Sequence, residues 1–220
     1  IGEAKQYFNS LISKYDSSIY VPESYVKLGL IAYQQGQDNQ ALDYCKKVVE
    51  KYPRTPSSQE ALALMESIYV KNGKGAEYLD YIANIPNSNI RITYQDSLLY
   101  ESAMRSYRKG DCKEAVRGFD DYINRFSSNG FFLVHVNFYK AECAYSKNDF
   151  PTAQKHYAYV SAQGRNEFSE DANLKLAESY YAQRRYDKAA PYYSQLERMA
   201  NSKDNYVLAL VGQMRCNYAL

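Results

Sequence analysis

The stretch Ala177–Leu196, AESYYAQRRYDKAAPYYSQL, decides the fold. Read at helical spacing, Leu174, Ala177 and Tyr180 form one apolar stripe and Ala189, Tyr193 and Leu196 form another. Polar Gln183, Arg184 and Arg185 separate the two. A strand would alternate at every second residue, whereas these positions recur at every third or fourth. The stretch therefore predicts two helices folded back on each other. Its crowded tyrosines, Tyr180, Tyr181, Tyr186, Tyr192 and Tyr193, leave a question open. They are either an aromatic binding surface or packing material.

The same pattern recurs along the chain. Gly29–Val48, Ala103–Tyr122 and Ala141–Val160 each carry a small residue, a Tyr four later, a polar turn, an Ala at twelve and an aromatic or Cys at sixteen. The post-turn alanines are Ala41, Ala115, Ala153 and Ala189; of two weaker copies, Ala4 opens a leading half-repeat and Ala76 serves the segment Leu64–Leu79. From Ala4 to Ala189 the mean step is 37 residues, which marks a repeat array. Gly36, Gly73 and Gly110 fall in turns, where a helix end favours a positive φ. Pro151 falls at a helix start, where its missing N–H is tolerated. Small Gly29, Ala103, Ala141 and Ala177 are expected to face Ala41, Ala115, Ala153 and Ala189, letting paired helices approach closely. The expected organisation is a leading half-unit at 1–20, units at about 22–55, 57–90, 96–130, 134–167 and 170–203, and a trailing helix at 205–220. Ser57–Pro86 is irregular and the connection Asn84–Asp96 is long. Both ends fall inside a repeat, so an excerpt from a longer array is expected.

The spacing of Tyr25, Leu28, Gly29, Ala41, Cys45, Val48 and Pro53 resembles the tetratricopeptide repeat signature. The resemblance extends over essentially the whole chain, with Ala177–Leu196 the best single copy. It implies an all-α, right-handed α-solenoid of antiparallel helix hairpins, whose first helices line a concave surface. It also implies a non-catalytic scaffold for protein or peptide partners. The phrase Glu50–Leu62, EKYPRTPSSQEAL, is similar to junctions in bacterial cell-envelope members of this family. That similarity favours a periplasmic or envelope setting over the cytoplasm.

On this register the position of Tyr181 recurs as Tyr33, Tyr69, Tyr107, Tyr145 and Tyr218, a column expected to border the groove. Two readings are open: an aromatic ladder for a partner, or rings that seal the joints between units. Leu30, Met104, Glu142 and Glu178 are expected beside the column in the groove itself. Some members of the family clamp acidic peptide ends with Lys, Asn and Arg. Here Val26 and Leu30 stand at the first places, and Glu142 and Glu178 oppose a carboxylate ligand. An apolar start with an acidic end suits a basic or amphipathic segment. The apolar run Ser127–Phe138, with Phe131, Phe132 and Val134, reads either as a contact for a partner or a second copy, or as packing on the preceding loop. The alternative function is therefore a structural or self-associating element using Phe131–Val134 or the terminal helices.

Other functions find little in the residues. A net charge of +2, from 27 basic and 25 acidic residues, provides no field for nucleic acid. Arg184, Arg185 and Lys188 cluster, but Glu178 and Asp187 interleave with them. No run approaches a membrane span. The opening IGEAKQYFNSL reads as mid-helix, so the lack of a signal segment does not bear on the compartment. No nucleophile–base motif, phosphate loop or metal spacing is present, so no catalysis, cofactor or metal is expected. His135 and His156 fall at variable helix positions where solvated or hydrogen-bonded imidazoles are the default. Cys45, Cys112, Cys143 and Cys216 are at least 31 residues apart, and buried or half-buried thiols are expected rather than a disulfide.

Overall fold

The computed structural model describes residues 2–86 and 90–220; the connection expected over Asn84–Asp96 ends earlier than the sequence suggested, because helix already begins at Ile92. Among the described residues there are twelve helices and no strand. They are α1 (Gly2–Lys14), α2 (Val21–Gln34), α3 (Asp38–Lys51), α4 (Pro56–Lys71), α5 (Gly75–Ala83) and α6 (Ile92–Arg108). After these come α7 (Cys112–Phe126), α8 (Leu133–Tyr145), α9 (Phe150–Ala162), α10 (Ser169–Ala182), α11 (Tyr186–Met199) and α12 (Lys203–Ala219). The helices form two compact units, and α6 contributes to both. The first holds Ile1–Arg91 with Glu101–Ser106, and the second holds Ile92–Tyr100 with Tyr107–Leu220.

In each unit a helix packs on its chain neighbour and then on the helix after that. In the first, α2 meets α3 and α4; in the second, α10 meets α11 and α12. That order, pair by pair and then across pairs, is an α-solenoid of helix hairpins. Four hairpins, α2–α3, α6–α7, α8–α9 and α10–α11, close on small residues. Ala41, Ala103, Ala115, Ala141, Ala153, Ala177 and Ala189 are fully buried, and Gly29 is buried with them. A Cβ added at Gly29 would lie 3.4 Å from the Cys45 sulfur and the Leu64 side chain, and 3.5 Å from the Ala41 carbonyl. The two helices are therefore at van der Waals distance already. Gly212 of α12 is tighter still, because the ring of Tyr193 lies where its Cβ would stand.

The turns repeat as closely as the helices. Gly36, Gly73 and Gly110 take φ of 73°, 73° and 78°, and Asn148 and Arg184 take 60° and 58° at the corresponding places. After four of these residues the next N–H reaches back to the helix: Gln37 to the Ala32 carbonyl, Lys74 to Tyr69, Asp149 to Ala144 and Arg185 to Tyr180. This is the glycine-type helix end, with Asn and Arg accepting the left-handed backbone in two copies. The following helices begin on side-chain caps at Asp111 and Asp149, which accept the N–H of Glu114 and Thr152.

Buried polar pairs fix how α9 lies between its neighbours. His156 pairs with Asn137 of α8 at 2.8 Å, Gln154 donates to Ser179 of α10 at 3.0 Å, and the Ser161 hydroxyl donates to Asn173 of α10 at 2.9 Å. A slide of one residue would break all three at once and leave buried polar groups unpaired.

The cysteine expectation fails at one pair. Cys112 and Cys143 form a disulfide, with Cα atoms 5.5 Å apart across 31 residues. Chain separation misled because α7 packs on α8, which brings the start of one hairpin's second helix to the end of the next hairpin's first. Cys45 and Cys216 are buried thiols as expected, and burial pushes the Cys45 thiol up to about 12.

Candidate partner-binding surface

The tyrosine column is placed on the first helices, but its members differ in what covers them. In the first unit Tyr33 is half-buried with the Lys71 ammonium 4.8 Å from its ring centre, and Lys71 also pairs with Asp38 at 3.1 Å. Tyr69 is only 8% exposed and rests on Tyr78. Met104 is 4% exposed, so neither it nor Tyr69 presents a surface to a ligand. Leu30 is half-buried.

In the second unit the column is better displayed. Tyr107 of α6 and Tyr139 of α8 lie with ring centres 4.8 Å apart, both half-buried. One turn along α8, the half-buried Glu142 carboxylate accepts a hydrogen bond from the buried Tyr157 hydroxyl of α9. Tyr145 continues the face, edge-on to Phe150 and Tyr157, with the Lys175 ammonium 4.3 Å from its ring centre. Burial raises the Tyr157 phenol well above its ordinary value, and the Glu142 bond raises it further. Burial, then Glu142, then Tyr139 raise Tyr107. Tyr139 is raised by burial and by Glu167, with Arg108 pulling the other way. These phenols are neutral donors at physiological pH, gathered around one carboxylate.

Farther along, Tyr181 is half-buried against Tyr186, with ring centres 5.1 Å apart, and Glu178 is exposed. Tyr218 of α12 is 95% exposed. Within the second unit the structure thus gathers Tyr107, Glu142 and Tyr145 and leaves Tyr181 in a setting of its own. Sequence reading missed Tyr139, Tyr157 and Lys175. Tyr139 stands three residues before Glu142 and six before Tyr145, so helical spacing was a usable signal for it.

The apolar run Ser127–Phe138 resolves into an anchored turn. Buried Asp96 of α6 accepts the Tyr122 hydroxyl at 2.5 Å and the Phe131 N–H at 2.8 Å, while the Phe132 N–H donates to the Tyr122 oxygen at 2.8 Å. Phe132 stacks on Tyr100 with centres 4.1 Å apart, and α8 begins at Leu133, which is buried. Val134 packs against the core of α8, α9 and α10. Of the apolar residues in the run, Phe131 alone projects, 81% exposed. The two histidines also differ. His156 is buried, whereas His135 sits among Tyr100, Phe132 and Phe168 with Nε2 2.9 Å from Glu167. Among the described residues no group of three or more His, Cys, Asp or Glu side chains is placed to hold a metal.

A family model described as a tetratricopeptide repeat-like domain matches residues 86–203, more than half of the chain. The chain belongs to that family. A tetratricopeptide repeat model also matches residues 23–55. A search of the curated proteins found no match. Among solved structures, similarity extends to YrrB, described as a TPR protein with an unusual peptide-binding site, at 15% identity and a TM-score of 0.43, covering 94% of this chain and 97% of that one. PilF of Pseudomonas aeruginosa is similar at 16% identity and a TM-score of 0.44, covering 90% and 87%. PilW, described as a widely conserved type IV pilus biogenesis factor, is similar at 17% and 0.42, covering 91% and 90%. Tetratricopeptide-like repeats support a protein–protein interaction scaffold with protein or peptide partners, a fold typically non-catalytic. Among the described residues no helix is long and apolar enough to cross a membrane.

Proposed function

We propose that this tetratricopeptide-like chain is a non-catalytic scaffold that presents the Tyr107–Tyr139–Glu142–Tyr145 face of its second unit to a protein or peptide. The observation that carries the reading is the set of half-buried phenols from α6 and α8 gathered around the Glu142 carboxylate. Tyrosine suits such a face because the ring contributes contact area while the hydroxyl remains a hydrogen-bond partner. Compartment is part of the proposal. The Cys112–Cys143 disulfide fits a chain that matures in an oxidising setting such as the periplasm, as the Glu50–Leu62 phrase suggested.

The test is recovery of partners from native lysate by the wild-type chain and by Tyr107→Ala with Tyr145→Ala, with circular dichroism confirming that both are folded. Proteins held by the wild type and lost by the variant support the reading. Recovery of the same proteins by both overturns it. A concentration-dependent dimer in light scattering, removed by Phe131→Ala, would replace it with self-association.

A further inference from the structure

We infer that the Tyr107–Tyr139–Glu142 face takes a cationic side chain, a lysine ammonium or arginine guanidinium carried by the partner. The inference rests on the proposed interaction surface and adds the chemistry it recognises.

The argument begins with what Glu142 lacks. Its carboxylate is half-buried, and its partner is a neutral phenol, the Tyr157 hydroxyl. Among the described residues no lysine, arginine or histidine forms an ion pair with it. Compare Asp38, which holds Lys71, and Asp120, which holds Lys140. A carboxylate drawn partly out of water and paired only to neutral donors gains from an incoming positive charge. The Tyr157 bond also fixes the Glu142 side chain in one arrangement, so little ordering remains to be done on binding.

The rings beside it supply the second element. The column already takes ammonium groups wherever the fold provides one: Lys71 over Tyr33 at 4.8 Å and Lys175 over Tyr145 at 4.3 Å. Tyr107 occupies the same place in its own hairpin, yet among the described residues no lysine or arginine lies over its ring. Its neighbours are Tyr139 and the charge of Glu142. On the Tyr139 hydroxyl the carboxylates of Glu167 and Glu142 act against the Arg108 guanidinium. An aromatic face with a fixed carboxylate at its edge is the arrangement that attracts a cation by quadrupole and charge together.

The probe is a set of amphipathic twelve-residue peptides on one alanine–leucine frame, differing only in whether the central polar positions carry lysine, arginine, norleucine or glutamate. Binding to the purified chain is read by fluorescence anisotropy. Lysine and arginine peptides should bind about tenfold tighter than the norleucine peptide, a cation–aromatic contact combined with a half-screened charge pair. Glu142→Gln should abolish that preference. Its amide oxygen still accepts the Tyr157 hydrogen bond, so the melting temperature should stay within a few degrees of wild type. Equal binding of all the peptides overturns the cation inference, and sensitivity of that binding to Tyr107→Ala would leave the surface itself standing. A lysine preference that survives Glu142→Gln also overturns it. Absence of binding by every peptide overturns both.

Discussion

His156 illustrates what burial does to a side chain whose place in the sequence suggested only an ordinary imidazole. Its ring is buried, its Nδ1 faces the Asn137 amide oxygen at 2.8 Å, and burial, with Lys140 and Lys155 adding repulsion, lowers its pKa to about 4. The unfolded chain therefore binds a proton near pH 6.5 that the folded chain refuses until about pH 4. Stability from this group is present above pH 6.5 and is lost as pH falls toward 4. Between pH 7.5 and 4.5 the loss should be about 2 kcal/mol in urea unfolding. His156→Gln should show a correspondingly shallower decline, since glutamine carries no titrating proton. Parallel declines in the two proteins would contradict the assignment. Single residues were the least legible scale in the sequence, because exposure depends on neighbours from other hairpins. Met104 and Tyr69 follow a surface position by repeat spacing, yet the packing of their own unit covers them.

At the scale of elements the sequence was most informative. The small residues were legible because close helix approach admits little else, and all eight are buried. The turns were legible at Gly36, Gly73 and Gly110 and obscure at Asn148 and Arg184, where a side chain sits in backbone geometry suited to glycine. The repeat makes the cost measurable. A Cβ at Gly110 would meet nothing within 4 Å, so Gly110→Ala should cost about 1 kcal/mol through backbone strain alone. Arg184→Gly should be neutral or stabilising by up to about 1 kcal/mol, since relief of strain is partly offset by unfolded-chain entropy. Chemical denaturation of the two variants checks both signs. A stabilised Gly110→Ala protein would contradict the shared turn geometry. The anchored turn before α8 was not legible, because Asp96 lies 35 residues from Phe131 and their contact is made only by folding.

For the molecule as a whole, the array was readable from periodicity, while the cross-link between hairpins was not. Periodicity reports what each repeat does internally; it is silent on which exposed ends meet when repeats stack. Loop closure over 31 residues implies that Cys112–Cys143 contributes roughly 2–4 kcal/mol to its unit. Reduction, or Cys112→Ser with Cys143→Ser, should lower the melting temperature by on the order of 5–10 °C. The unfolded, unreduced protein should show only the thiols of Cys45 and Cys216. Four titratable thiols, or an unchanged melt after reduction, would contradict the staple.

The central claim is that partners meet the chain at the Tyr107–Tyr145 face. The most direct measurement places a photo-crosslinking phenylalanine analogue at position 107 in one chain and at exposed Tyr7 in another, and irradiates the producing cells. The account expects a discrete crosslinked protein from position 107 that is absent from position 7. The same adducts from both positions, or none from position 107, would contradict it.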